Sequence, residues 1–488
     1  MESYMSTTTT TSANSALAAA AQSIISGVTN SNTDVSSLVS ALVAAKTAAQ
    51  TTQNTNRQTL DNTTLSAIGS LKSSLSSLQS ALSGLTDGSA LSKFTASASG
   101  SGLTATTSTG AVAGSYSVAV TQVATAQKLS SITGIPSTNQ VGTGNLTIQL
   151  GSGTPMTVAI KSGTNTLADI ANAINTGSGN PGVTATVVTG TDGSHLVLTS
   201  NVTGAANTIK VSTNSTDGLA ALATVDNTGA ATNNYNETIP AQDAQLSIDG
   251  TSVVSASNTI TGAITGVTIN LSASSAKTTQ TLSVSPDNTS ATNTINAFVS
   301  AYNSFVSTAS SLSSFNSSAA AGSQGGPLIG DSMLNSIVNT LATKVAQGVT
   351  SGGSTISLSA IGLNLQPDGT LSVDSAALSS ALANNPSSVA TAFNATNGVG
   401  ATLNSNITTF LQTGGIIDTR VTALNQDLAA AKTQATALQA YASQLTDQYN
   451  TQFTALNTLM AKMQNNSQYL TQLFGGTNSA GALATNKA

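Results

Sequence analysis

The chain has no cysteine and no tryptophan, and charged residues make up only 6% of its 488 residues. Without cysteine, neither a disulfide framework nor a thiolate metal site is available. Ordinary soluble proteins carry about 25% charged residues, so this chain has few groups from which ion pairs could form. Serine, threonine, alanine, asparagine and glycine take the place of the missing charges.

The charge balance is weakly acidic. Lysine and arginine number 13 and aspartate and glutamate number 18, which gives a net charge of −5. A protein that binds nucleic acid through its phosphates needs a basic surplus, so we expect no nucleic-acid partner. The sequence has no run of 18 apolar residues, so we expect no membrane-spanning helix and no membrane partner.

Residues suited to catalysis or metal binding are scarce. His195 is the only histidine, and it follows a TDGS turn at the start of a predicted strand. The glycine-rich stretch GGPLIGD (325–331) lacks the lysine of a phosphate-binding loop. We therefore expect no catalytic residue, no metal site and no cofactor, and we expect His195 to be a surface residue at a strand end.

Leucine follows a helical pattern in the first part of the chain. In SLKSSLSSLQSALSGL (70–85) it recurs every three or four residues, and almost everything between is serine. Apolar residues keep a similar spacing in DVSSLVSALVAAKTAAQ (34–50). Both stretches predict amphipathic helices with a narrow apolar seam.

The longest periodic segment is 416–473, where two mainly apolar series recur at intervals of seven and predict a coiled coil. The economical arrangement pairs this helix with the one over 34–85, so that the leucine seam packs against Leu424–Leu456. Both ends of the chain then lie at the same end of a rod. The predicted coiled-coil and assembly interface consists of Leu38, Leu42, Ile68, Leu71, Leu75, Leu78, Leu82, Leu424, Leu428, Leu438, Leu445, Tyr449, Leu456, Leu459, Met463 and Leu470.

The middle of the chain has a different pattern. From about residue 92 to 286, short alternating runs of valine, threonine and serine predict strands separated by glycine-containing turns. A helical island at 166–175 interrupts them, and 290–312 and 333–345 are helical again. Residues 354–374 predict a hairpin around the turn PDGT.

Together these patterns predict an α+β multidomain protein, with α-helical coiled-coil legs formed by both chain ends and inserted β-rich domains forming a head. The predicted parts are a flexible Thr/Ser-rich tail (1–26), an N-terminal helical leg segment (27–91), an inner head β domain (92–125 and 236–286), an outer head β domain (126–235), a C-terminal helical leg with a small β-hairpin (287–474) and a flexible tail (475–488).

Several stretches, in this order along residues 27–474, resemble the flagellar filament cap family, also called hook-associated protein 2 or FliD. Within 166–200, the pair Ile174 and Asn175 resembles the namesake pair of the flagellin IN repeat, which places that repeat in the outer head domain. The other stretches are DVSSLVSALV (34–43), GSYSVAVTQVATAQK (114–128), AQDAQLSIDGTSVVSASNTITGAITGVTINL (241–271), FVSAYNSFV (298–306), GGPLIGD (325–331), IGLNLQPDGTLSVD (361–374) and QFTALNTLMAKMQNNSQYLTQLF (452–474).

The resemblance implies a structural protein and not an enzyme, secreted to the extracellular tip of the bacterial flagellar filament. Such proteins form a homo-oligomeric ring, usually described as a pentamer, that promotes insertion of exported flagellin and prevents its loss. The implied partners are flagellin, the junction hook-associated protein and an export chaperone, and some members also adhere to mucin or a host surface.

Two alternatives remain open from the sequence. Flagellins and the junction hook-associated protein also combine helical ends with a β-rich middle, so a filament subunit is one alternative. A surface adhesin is the other, because a charge-poor, Thr/Ser-rich surface would suit it.

Overall fold

Helices occupy both ends of the chain and β-sheets its middle in the computed structural model. The predicted α+β class, with helical ends and an inserted β-rich middle, is confirmed. The expected flexible tails, 1–26 and 475–488, lie outside the described residues. The structure describes residues 32–226, 228–320, 322–351, 354–394 and 396–474.

The described residues divide into two compact units. The helical unit comprises residues 32–86, 295–381 and 387–474, and the β unit comprises 87–294 and 382–386. The helices are α1 (Asn32–Thr86), α2 (Leu167–Thr176), α3 (Asn288–Ser313), α4 (Ser332–Gln347), α5 (Ser375–Asn384), α6 (Pro386–Asn394), α7 (Val399–Leu411) and α8 (Ile416–Phe474).

The strands are short and lie mostly between α1 and α3 in sequence. They are β1 (Phe94–Ala98), β2 (Leu103–Thr107), β3 (Gly114–Gln122), β4 (Lys128–Ser131), β5 (Gly144–Leu150), β6 (Met156–Ile160), β7 (Val183–Gly190), β8 (Gly193–Ser200), β9 (Ile209–Thr213), β10 (Tyr235–Ile239), β11 (Ala244–Ile248), β12 (Thr251–Ser255), β13 (Thr259–Ile264), β14 (Val267–Leu271), β15 (Thr278–Pro286), β16 (Val349–Ser351), β17 (Ser354–Ile356), β18 (Leu363–Leu365) and β19 (Leu371–Val373).

Two separate hydrophobic cores hold the β unit together. The first gathers side chains from a five-stranded sheet, in the order β1-β15-β3-β11-β12, and a three-stranded sheet, β13-β14-β2. The second gathers side chains from the sheets β10-β4-β8-β7 and β6-β5-β9 and from α2. These sheets are built from antiparallel pairs, such as β7 with β8 and β3 with β15, which suits strands that alternate between buried and exposed side chains.

The Ile-Asn pair at the end of α2 has a structural explanation. Ile174 is fully buried in the second core. Asn175 donates from Nδ2 to the Ala185 carbonyl at 2.7 Å, and its Oδ1 accepts the Ala185 N–H at 2.8 Å. The pair therefore joins α2 to β7 through one apolar and one hydrogen-bonding side chain.

The structure refines the expectation for residues 354–374. The hairpin around PDGT is confirmed for β18 and β19, which pair Leu363 with Val373. Residues 354–356 instead form β17 and pair with β16. Helices α5, α6 and α7 follow within the predicted helical leg of 287–474, although the sequence analysis did not identify them one by one.

Aromatic side chains of α3 form part of the interior of the helical unit. Phe298, Tyr302 and Phe305 are fully buried. The ring of Phe298 meets that of Phe393 in α6 edge-to-face, with the centroids 5.7 Å apart. Burial raises the pKa of Tyr302 to about 12. This aromatic cluster fixes α3 against α6.

Candidate assembly interface

The two long helices α1 and α8 pack antiparallel. Asn54 of α1 donates from Nδ2 to the Ala431 carbonyl of α8 at 2.9 Å. One turn further along α1, Arg57 forms an ion pair with Asp427 at 2.9 Å. Because a later position on α1 meets an earlier position on α8, the helices run in opposite directions.

A small apolar cluster packs the first turns of α1 against α8. Val39 and Val43 of α1 pack with Leu445 of α8, and all three are buried. Val35, Ala442, Tyr449 and Phe453 surround this cluster and are partly buried. Leucines and valines are therefore brought together here as the seam pattern predicts.

The middle of the α1–α8 seam is polar, which the sequence analysis did not anticipate. Thr47, Asn54 and Asp61 are buried although they are polar. They continue the seven-residue series of Ile68 and Leu75 toward the N-terminus. That spacing is the signal that could have identified them as seam residues.

The partners of the polar seam on α8 are mainly alanine and glutamine, with Leu438 at the groove beside it. Ala431 is fully buried opposite Asn54, and Asn54 Nδ2 also donates to Gln434 Oε1 at 3.2 Å. Thr47 and Asn54 line a groove of about 310 Å³ together with Ala435 and Leu438. A seam of alanine, threonine and asparagine buries little apolar area, so this part of the helix pair contributes little hydrophobic stabilisation.

The expectation that the leucine seam packs against Leu424–Leu456 is wrong. Leu424 lies beside Leu60, Asp61 and Thr64, before the leucine seam begins. Gln79, within the seam stretch, instead bonds from Nε2 to Thr408 Oγ1 of α7 at 2.8 Å.

The reason is the position at which α8 starts. Ile416 begins α8, only 11 residues before Asp427. In an antiparallel pair that matches Arg57 with Asp427, α1 passes the start of α8 near Ile68. From that point its leucines meet α7, which precedes the short turn at 412–415.

The predicted interface residues thus fall into three groups. The fully buried ones in the second half of α1 are Ile68, Leu71, Leu75, Leu78 and Leu82. Those buried or partly buried where α1 and α8 run together are Leu38, Leu42, Leu424, Leu428, Leu438, Leu445 and Tyr449.

The third group is exposed and lies near the end of α8. We call it the distal stripe, and it consists of Leu456, Leu459, Met463 and Leu470. Their exposed fractions are 41%, 55%, 63% and 54%. The stripe is an apolar face of α8 that the described residues do not cover.

His195 lies near the start of a strand, as expected, and both of its ring nitrogens have partners. It lies on β8 with its side chain 17% exposed. Its Nδ1 lies 2.7 Å from the Ser131 carbonyl of β4, and its Nε2 lies 3.1 Å from Asp192 Oδ1 in the preceding turn. Hydrogen bonds to Asp192 and to Ser131 raise the pKa of His195 above its usual 6.5. The ring therefore joins a turn to a neighbouring strand.

Two further searches concern the part of the chain that the structure describes. No three side chains of His, Asp or Glu come together there in a way that could hold a metal ion. No helix among the same residues is both long enough and apolar enough to cross a lipid bilayer.

Family models match most of the chain. The model for the flagellar hook-associated protein 2 N-terminus matches residues 31–127, and the model for its C-terminus matches 241–465. The model for the flagellin hook IN motif matches residues 143–202, which contain α2 and the strands β5 to β8 of the second β core.

Curated relatives and a solved structure agree with these models. The chain is 32% identical to flagellar hook-associated protein 2 of Escherichia coli K12, over 84% of this chain and 89% of the relative. It is 30% identical to B-type flagellar hook-associated protein 2 of Pseudomonas aeruginosa PAO1, with the same shares covered. The crystal structure of the D1-D2-D3 domains of the flagellar cap protein FliD from Escherichia coli superposes with a TM-score of 0.61 at 32% identity, over 74% of this chain and 99% of that one. The chain therefore belongs to the flagellar hook-associated protein 2 family, the family of the flagellar cap protein FliD.

Proposed function

We propose that the protein is a structural cap at the distal tip of the bacterial flagellar filament. It promotes insertion and polymerisation of exported flagellin and prevents flagellin from being lost. The observation that carries the proposal is membership of the hook-associated protein 2 family over 84% of the chain. The scarcity of catalytic side chains in the sequence agrees with a structural role.

The proposal includes the assembly and its surroundings. The protein acts as a homo-oligomeric ring, a pentamer, outside the cell at the filament tip. Its partners are flagellin, the junction hook-associated protein and an export chaperone, and adhesion to mucin or a host surface is an additional role. A chain without cysteine suits export in an unfolded state, because no disulfide has to form or break on the way.

We also propose that the domain boundaries predicted from the sequence separate functional parts of the protein. Residues 92–125 with 236–286 form an inner head domain, and 126–235 form an outer one. The two separate β cores support this division. Residues 27–91 and 287–474 form the helical leg, of which 27–31, 321, 352–353 and 395 lie outside the described residues.

The predicted interface residues have two roles in this proposal. The buried leucines hold the helical unit together, whereas the distal stripe contacts neighbouring protein molecules in the filament end. Exposure of four large apolar side chains on one helix supports the second role.

A deletion strain tests the capping function. Loss of the gene should release unpolymerised flagellin into the medium, and the full-length gene should restore filaments. If filaments stayed normal without the protein, a role as surface adhesin would replace the proposal. If the purified protein with flagellin extended into long filaments of its own, it would instead be a filament subunit.

The distal stripe has its own test in the same strain. Leu459→Gln with Met463→Gln should leave the free energy of unfolding within about 0.5 kcal/mol, yet release flagellin as the deletion does. The control is Ala461→Gln with Asn465→Gln, which alters exposed positions on the opposite side of α8. If the stripe variant capped filaments normally, the distal stripe would not be part of the interface with neighbouring molecules.

A further inference from the structure

Two lobes form the β unit, and each surrounds one of the two β cores. The first lobe consists of residues 94–122 and 244–286, and the second lobe consists of residues 128–239. Two short connectors, 123–127 and 240–243, join them. Each sheet of the described β unit lies within one lobe, so strand pairing does not determine how the lobes are oriented to each other.

The two connectors are paired with each other at one point. Thr125 N–H donates to the Gln242 carbonyl at 3.0 Å, and Gln242 N–H donates to the Thr125 carbonyl at 3.3 Å. Thr125 Oγ1 also donates to the Pro240 carbonyl at 2.6 Å. Hinges between rigid bodies consist of a few loop residues that absorb changes in φ and ψ, and one bridge restricts such changes less than a sheet does. Further contacts are therefore needed to fix the orientation of the lobes.

A loop of the second lobe provides such contacts. The loop between β8 and β9 reaches the turn between β12 and β13 of the first lobe. Thr203 Oγ1 donates to the Ala256 carbonyl in that turn at 2.7 Å. The Ala205 N–H donates at 2.7 Å to Oδ1 of Asp243, the residue immediately before β11. We call residues 203–205 the latch loop.

Gly204 lies at the centre of the latch loop, where only glycine fits. It is buried and has a φ of +110°, a conformation that favours glycine. A Cβ at this position would lie 2.8 Å from Ala256 Cβ and 2.9 Å from the Ala256 carbonyl oxygen. Both distances are shorter than a van der Waals contact, so even alanine would collide with the first lobe. The Gly204 N–H also donates to the Thr125 carbonyl at 3.2 Å, so the latch loop contacts a connector as well.

Both sides of this contact are held by hydrogen bonds of their own. In the second lobe, Asn207 donates from Nδ2 to the Thr203 carbonyl at 2.6 Å, and its N–H donates to the Gly204 carbonyl at 3.0 Å. In the first lobe, Asn258 donates from Nδ2 to the Ala124 carbonyl at 2.8 Å, and its Oδ1 accepts the Ala124 N–H at 2.7 Å. The contact therefore joins two segments that are each fixed in position, as an orienting contact requires.

We propose that the latch loop fixes the orientation of the second lobe on the first, with the two connectors as the hinge. The contact consists mainly of hydrogen bonds, and each contributes little net stability compared with a hydrophobic core. Breaking it should therefore release the orientation without unfolding either lobe. This inference goes beyond the proposed capping function and does not depend on it, because it concerns the geometry within one molecule.

Distances between spin labels in the full-length protein test the latch loop. The chain has no cysteine, so Thr186→Cys in the second lobe and Ser252→Cys in the first, both at exposed positions, provide the only two labelled sites. Double electron–electron resonance should give one narrow distance distribution for this pair. With Gly204→Ala added, the distribution should broaden or shift by several ångström, because the new methyl group separates the latch loop from Ala256.

Gly163→Ala is the matched control. Gly163 lies in the same lobe and also has a positive φ, of +85°, yet a Cβ there would meet nothing within 4 Å. The substitution therefore adds similar backbone strain without a collision, and it should leave the distribution between the lobes narrow. A second label pair, Ala159→Cys with Thr186→Cys, lies at exposed positions within the second lobe. Its distance should stay narrow in both glycine variants if that lobe remains folded.

A second variant weakens the contact without adding bulk. Thr203→Val with Asp243→Ala removes both side-chain hydrogen bonds of the latch loop to the rest of the β unit. It should also broaden the distance distribution between the lobes, because the connectors alone do not fix the orientation. If Gly204→Ala broadened the distance within the second lobe as well, that lobe would have unfolded and the second variant would decide.

Three results would overturn the inference. The first is a broad distribution between the lobes in the protein that carries only the labels. The second is an unchanged narrow distribution in either variant of the latch loop while the second lobe remains folded. The third is equal broadening by Gly163→Ala and Gly204→Ala, since backbone strain and not the collision with the first lobe would then be the cause.

Discussion

His195 connects the turn between β7 and β8 to strand β4 through both ring nitrogens. When the ring is protonated, Nδ1 donates to the Ser131 carbonyl and Nε2 donates to Asp192. Both acceptors favour the charged imidazolium, so the folded protein binds this proton more tightly than the unfolded chain does. The only histidine in the sequence is thereby a structural link whose strength depends on pH.

The pH dependence follows from the sign of this shift. Because the folded pKa of His195 lies above 6.5, its stabilisation is fully present below pH 6.5 and is lost as the pH rises through the folded pKa. With one histidine in the chain, its Hε1 resonance reports the titration by NMR without overlap from another imidazole. We expect a midpoint above 6.5, and Asp192→Asn should lower it. A midpoint at or below 6.5 in the wild-type protein would contradict the geometry.

At the scale of elements, α1 consists of two halves with different seams. The first half places Thr47, Asn54 and Asp61 against α8, whereas the second places Ile68 and Leu75 in the interior formed with α7. Hydrophobic burial is therefore concentrated in the second half. The first half depends on hydrogen bonds and on a short cluster near Val39.

A matched pair of leucine substitutions measures how much the buried leucine seam contributes to stability. Leu75→Ala should cost about 2–5 kcal/mol of unfolding free energy, because the side chain is fully buried. Leu459→Ala, the same change at an exposed position of α8, should change it by less than about 0.5 kcal/mol. Urea unfolding followed by circular dichroism gives both values. If the two substitutions lowered the free energy of unfolding equally, the leucine seam would not be the main core of the helical unit.

Many of the helices and strands could be predicted from local sequence patterns. The spacing of leucines predicts α1 and the heptad series predicts α8, because burial on one helical face imposes that period. The helices α5 to α7 were not predicted, although α7 is the partner of the leucine seam. Val399, Leu403 and Ile407 of α7 do recur every four residues, whereas α5 and α6 are too short to show a clear helical period.

At the scale of the whole molecule, the scarcity of charge has a proposed use. Ser73, Ser76 and Ser80 lie on the exposed side of α1. An uncharged face of small side chains can move along neighbouring subunits without breaking fixed ion pairs. In the proposed capping function, such a face would let the protein shift along the filament end as flagellin is inserted.

Lysine substitution tests the serine face. Ser73→Lys, Ser76→Lys and Ser80→Lys together should leave the thermal melting curve nearly unchanged, because these positions are exposed. The triple variant should nevertheless release flagellin from a deletion strain that expresses it. As a comparison, Leu75→Asp with Leu78→Asp should unfold the helical unit and abolish capping. Normal capping by the lysine variant would leave the leucine seam as the only functional feature of this helix.

The sequence by itself determined that helices flank a β-rich middle, that disulfides are absent and to which family this protein belongs. These properties depend on local spacing and on short stretches in a fixed order, which a linear sequence carries. Only the tertiary structure decided which helix the leucine seam meets and that the polar Asp61 is buried. The turn at 412–415 sets where α8 begins, and a loop distant in sequence covers Asp61, so neither fact is encoded in the periodicity of α1 alone.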